Sequence, residues 1–183
     1  YSHLYKINIA RPVYYGISFY NYNWLKNAWN NHLKNILAFK NLAEINKKRL
    51  LFILIPFKAQ VYPELFDCAK YIVDKNKIDL NRPNKILRSF FHKHNISYLD
   101  LLPLFRYYAR KLDSCTLDSD IDLYWQGYDE HWNVKGNHLA GLLVSKYILK
   151  HNIVIITDKQ NKLEKIDQQL IKEFGKLPPE NLL

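Results

Sequence analysis

Residues 50–55 read Leu-Leu-Phe-Ile-Leu-Ile and stop at Pro56. An unbroken apolar run has no polar side to turn to water, and six residues ended by proline are too few for a helix. The run predicts a strand buried on both faces, as parallel strands are between helix layers. Such a strand needs covering helices, and the flanking sequence supplies their patterns. From Trp24 to about Asn46, apolar residues fall at Leu25, Trp29, Leu33, Ile36 and Ala43, one stripe along a helix. Pro63 and Glu64 open a further helix with Leu65, Ala69, Ile72 and Val73 on one face, the proline sitting where its missing N–H costs nothing. Asn81 and Pro83 start another, with Ile86, Leu87, Phe90 and Phe91 as its core side.

Residues 96–100, Ile-Ser-Tyr-Leu-Asp, predict a second strand running into a short helix over 104–111. A brief extended piece at 121–125 and an amphipathic helix over 137–150 follow, then an apolar run at 153–156 and a charged helix over 161–174. Helix, strand, helix, helix, strand, helix is an α/β layered order with a parallel sheet. The expected division is a linker or surface connection over 1–23, an α/β domain over 24–157 and a charged helical tail over 158–183. At 183 residues the chain holds one domain, or part of one.

The formal charge of +10 concentrates toward the start, where residues 1–49 carry eight Lys or Arg and one acid, Glu44. Aromatic residues crowd the same stretch, but no nucleic-acid-binding motif accompanies them, so a solvated basic face is expected rather than a nucleic-acid site. Cys68 and Cys115 stand far apart without a Cys-x-x-Cys pattern and read as free thiols. No apolar run reaches the length of a membrane span, and no secretory leader is visible. There is no Met, even at position 1, which suggests that the natural N-terminus lies further upstream.

The string with chemical content is Tyr128-Asp129-Glu130-His131-Trp132-Asn133-Val134-Lys135-Gly136, between the extended piece and the helix that follows. In extended backbone Asp129 and His131 point to one side. A carboxylate there holds the imidazole in one tautomer and stabilises the imidazolium formed when the ring takes a proton. The metal alternative needs His-x-x-x-His on one helix face or a cysteine nearby, and neither accompanies Asp129, Glu130, His131 and His138. No metal site is expected.

Asp-x-His-Trp-Asn-x-x-Gly followed by an Ala-containing helix resembles the last conserved block of SGNH/GDSL-type serine hydrolases. Residues 54–63 and the strand ending in Asp100-Leu101 are similar to the preceding pieces of a bacterial branch of that family, so the resemblance spans roughly 24–149. It implies an SGNH/flavodoxin-like three-layer sandwich with a parallel sheet, of which this chain carries the C-terminal part. It further implies cleavage of carboxylic O-acyl esters, on a glycan or lipid, through a serine acyl-enzyme without a cofactor. His131 would be the general base and Asp129 its orienting acid, although the family more often spaces them Asp-x-x-His. Lys58 and Gln60 would lie near the site, Trp132 would form a wall, and Asn133 and Gly136 would shape the turn into the helix.

The family's Gly-Asp-Ser nucleophile block does not occur. Ser18, in Gly16-Ile-Ser18-Phe19, imitates a nucleophile turn, but only one helix separates it from the strand at 50–55, so the serine is expected from an upstream segment. The rival expectation is a non-catalytic remnant or interaction module that binds an anionic partner through its basic, aromatic N-terminal region.

Overall fold

The computed structural model describes residues 22–67, 78–111, 122–126 and 129–183. Ser18, Cys68, Cys115 and the helix positions Ala69, Ile72 and Val73 lie outside the described residues. The chain is a mixed helix and strand protein organised on a two-stranded parallel sheet. Helix α1 spans Asn23–Ile45, strand β1 Phe52–Leu54, α2 Lys58–Val61, α3 Glu64–Asp67 and α4 Arg82–Lys93. Strand β2 spans Tyr98–Asp100, α5 Leu101–Tyr108, α6 Val134–Lys150 and α7 Lys159–Phe174.

Strand register pairs Phe52 with Tyr98, Ile53 with Leu99 and Leu54 with Asp100. Alternation sends Phe52, Leu54 and Tyr98 to one cluster, built on Ile36 of α1, Phe91 of α4 and Ile96 in the connection from α4 to β2. The Phe52 and Phe91 rings stack at 5.3 Å. Leu99 goes the other way, into the main core with Leu139 and Leu143 of α6, Leu104 and Phe105 of α5, and Leu170 of α7. The Tyr147 hydroxyl of α6 donates to the Tyr98 carbonyl at 2.9 Å, fastening that layer to β2. α7 is polar along most of its length, yet Leu170 is fully buried and Lys146 of α6 pairs with its Asp167 at 2.5 Å. Among the described residues no helix is long and apolar enough to cross a membrane.

Two expectations are corrected. The run at 50–55 is strand only over Phe52–Leu54, and it is not buried on both faces: Ile53 is 37% exposed and Ile55 more so. The helices α1 and α4 cover the Phe52 and Leu54 side, and no described residue covers Ile53 as fully as its register partner Leu99 is covered. The short helix starts at Leu101 rather than 104, because the Asp100 carboxylate accepts the Leu102 N–H and caps the helix directly on the strand's last residue. The run at 153–156 is a loop with Ile155 89% exposed, its start held by the Arg49 guanidinium, which donates to the carbonyls of Asn152 and Ile153.

The entry to α6 depends on Gly136. A Cβ there would stand 2.1 Å from the Leu123 carbonyl oxygen, whereas one on Gly141, a turn and more along the same helix, would meet nothing within 4 Å. Gly136→Ala is therefore expected to destabilise the protein by about 3 kcal/mol, since backbone must move. Gly141→Ala should be neutral or stabilise by up to about 1 kcal/mol through helix propensity. Paired urea denaturation curves separate the two.

Candidate functional site

Asp129 and His131 sit on a connection that the chain pins at both ends. Tyr124 and Trp132 form an antiparallel bridge, Trp125 N–H donates to the His131 carbonyl at 3.1 Å, and Asn133 N–H donates to the Leu123 carbonyl at 3.2 Å. Asn133 then caps α6, accepting the Gly136 N–H at 2.9 Å while its amide donates to the carbonyls of Asp122 and Tyr124. The Trp132 ring stacks on Phe105 at 4.8 Å and packs against the main core. Below the bridge, the Tyr124 hydroxyl donates to the Pro56 carbonyl at 2.7 Å, and that of Tyr62 donates to Asp122 at 2.5 Å. Burial and that carboxylate hold the Tyr62 hydroxyl well above its ordinary pKa, so it serves as a donor and not as a base.

On this base Asp129 turns back on the chain. One oxygen, Oδ1, accepts the His131 N–H at 2.8 Å and lies 2.7 Å from His131 Nδ1. Aspartate readily closes such a turn onto the N–H two residues on. An ionised carboxylate can only accept, so Nδ1 carries the proton and Nε2 of the neutral ring is left basic. The His131 side chain is 89% exposed and that of Asp129 46%. The two hydrogen bonds, the backbone one first, hold the Asp129 carboxyl below the usual carboxylate range.

Glu130, between them, faces the opposite environment. Its Oε2 accepts the Lys58 N–H at 3.2 Å, at the start of α2 just beyond the carboxyl end of β1. Burial raises the Glu130 carboxyl, an effect that the Lys58 charge and N–H oppose. Lys58 is 2% exposed, and burial lowers its ammonium against the pull of Glu130 and then Asp129. Lys58 thus belongs to the surroundings of the pair.

Gln60, two residues along α2, is near in sequence, and its amide is committed to a buried network. Its Nε2 donates to the Leu80 carbonyl at 2.7 Å and to Asn84 Oδ1 at 2.8 Å, and its Oε1 accepts the Phe57 N–H at 3.2 Å. Asn84 passes the chain on to Asp100 at 2.8 Å, which makes Gln60 part of a buried framework. His138 pairs with Glu173 of α7 at 3.0 Å. Glu130 is the residue that the reading from sequence left without a role here. Its only signal was its place inside the Asp-x-His string. No protein family, curated protein or solved structure matches the chain.

The neighbouring carboxylates should titrate in opposite senses. In a carboxyl-detected NMR titration, Asp129 is expected to take up its proton below the ordinary value of 3.8, and Glu130 above the ordinary value of 4.5. The linkage signs follow from those shifts. What Asp129 contributes is in place at neutral pH and lost as pH falls through its lowered pKa, while protonation of Glu130 is favoured by folding, so its contribution declines as pH rises through its raised one. Coincident midpoints would refute the two environments.

Proposed function

We propose that the chain carries the base half of an SGNH-type hydrolase that cleaves carboxylic O-acyl esters, with the sheet and its flanking helices as part of a three-layer α/β sandwich. The observation that carries this reading is the Asp129–His131 pair: Nδ1 is held by a carboxylate while the rest of the ring is open to a substrate. The second support is placement. Lys58 lies just beyond the carboxyl end of β1, and the loop bearing the pair attaches there through the Lys58 N–H and the Pro56 carbonyl, in the region where α/β proteins gather their chemistry.

In this reading His131 Nε2 takes the proton of a serine hydroxyl as its oxygen bonds to the ester carbonyl carbon. The tetrahedral intermediate then breaks the bond to the alkoxide, which receives that proton from the imidazolium, and the acyl-serine remains. Water attacks the acyl-serine with the same proton relay and releases the acid. Asp129 stabilises the imidazolium in both halves without itself being protonated. The serine is Ser18 or one on an upstream segment.

A fluorophosphonate probe applied at neutral pH, with the labelled peptide mapped by mass spectrometry, tests the assignment. Labelling of one serine is expected, and His131→Ala should slow it by about a thousandfold or more with the circular dichroism spectrum unchanged. A His131→Ala protein that labels at the parent rate would reject the role of the pair. An intact, unlabelled parent that instead binds a polyanion in a salt-dependent manner would favour an interaction module.

A further inference from the structure

The Asp129–His131 contact is local, two residues apart in an exposed connection, and a local contact does not fix where the pair sits relative to the sheet. Three side-chain ties do that across 60, 68 and 72 residues of sequence: Tyr62 to Asp122, Tyr124 through the Pro56 carbonyl and Glu130 through the Lys58 N–H. Asp122 precedes the bridge and Tyr124 forms it with Trp132, whereas Glu130 lies within the connection that the bridge closes, flanked by the pair itself.

We infer that Glu130 is the positioning residue of the pair: its carboxylate ties the Asp129–His131 turn to the Lys58 N–H at the carboxyl end of β1. The inference rests on the hydrolase reading for its catalytic meaning, but the tie is a property of the loop alone. The bridge, the Asn133 cap and the Tyr124 anchor are independent of Glu130, so the fold survives its loss and only the turn is released.

The donor is a backbone group, and it can still be removed. Lys58 is the first residue of α2, and Phe57 before it has φ −87° and ψ 161°. Proline is tolerated at a helix's first position, and its predecessor must be extended, as Phe57 is. Lys58→Pro therefore deletes the N–H with the backbone path kept, and Lys58→Ala controls for the lost ammonium.

Amide hydrogen exchange at His131, whose N–H is held by Asp129, reads the order of the turn without reference to activity. In the full chain, Glu130→Ala should accelerate it by about tenfold, and Lys58→Pro should exceed Lys58→Ala by about fivefold, for one charge-assisted hydrogen bond. Glu130→Gln keeps an acceptor at the same reach and should stay within about threefold of the parent. The double variant Glu130→Ala with Lys58→Pro should be no faster than the faster single variant, because both remove one interaction. With para-nitrophenyl acetate as probe, Glu130→Ala should lower kcat while KM holds, and Glu130→Gln should restore kcat.

Unchanged His131 exchange in Glu130→Ala and Lys58→Pro would overturn the inference whatever the turnover. Exchange that responds as described in a parent without ester turnover would support the tie and overturn the hydrolase reading instead.

Discussion

The architecture turns on a carboxylate that the fold removes from water. Asp100 ends β2 with its side chain almost fully buried, and its partners come from the two helices α4 and α5. The Leu102 N–H of α5 and the Asn84 amide of α4 both reach Oδ1, and Arg88 of α4 approaches Oδ2 at 3.5 Å. Asn84 in turn accepts from Gln60 of α2, and Arg106 of α5 closes the circuit by donating to the Gln60 carbonyl and to Asn81. Buried polar groups that lose a partner are costly, so the four segments are held in one mutual arrangement. Burial nevertheless raises the Asp100 carboxyl, so the partners do not fully offset its lost hydration. Such a network defines geometry more than it adds stability. What it defines is the level at which both strands end, and therefore the platform on which α2 and the Asp129–His131 loop rest.

Much of that platform is legible in the sequence where a period governs it. The stripe Leu25, Trp29, Leu33, Ile36 and Ala43 is the half-buried line of α1, and Asn81 with Pro83 marks the start of α4 within a residue. These signals survive because a helix face is set by residues three and four apart, whatever it packs against. β1 is less legible. An apolar run states that both faces tolerate burial, but which face is covered depends on helices elsewhere, and Ile53 and Ile55 stay open. The start of α5 was lost for a different reason. Asp100 reads as the end of a strand, and the same side chain also begins a helix, a double duty that propensity counts assign to only one element.

The site divides along the same line. Asp129 and His131 were legible because their contact is local, closed within one turn of chain. The tie from Glu130 to Lys58 spans 72 residues and ends on a backbone N–H, which carries no sequence signal at all. Gln60 shows what the sequence leaves out: a polar residue after a buried strand suggests a site, and the long-range partners of its amide, Leu80 and Asn84 beside the local Phe57, carry no sequence signal.

Two adjacent carboxylates thus take opposite parts, and side-chain length decides which takes which. Aspartate's single methylene lets Oδ1 reach the N–H and ring of the residue two positions on, and the resulting turn keeps it half in water, ionised and hydrogen-bonded. Glutamate's extra methylene overshoots that turn and carries its carboxylate away from the ring, into a half-buried contact with the N–H of Lys58. Hydrogen bonds depress the first group and desolvation raises the second, so the pair presents a fixed negative charge to His131 beside a carboxylate that is anchored to the sheet. Interchanging the two residues would preserve composition and charge and lose both functions, because neither side chain has the reach that the other's contact requires.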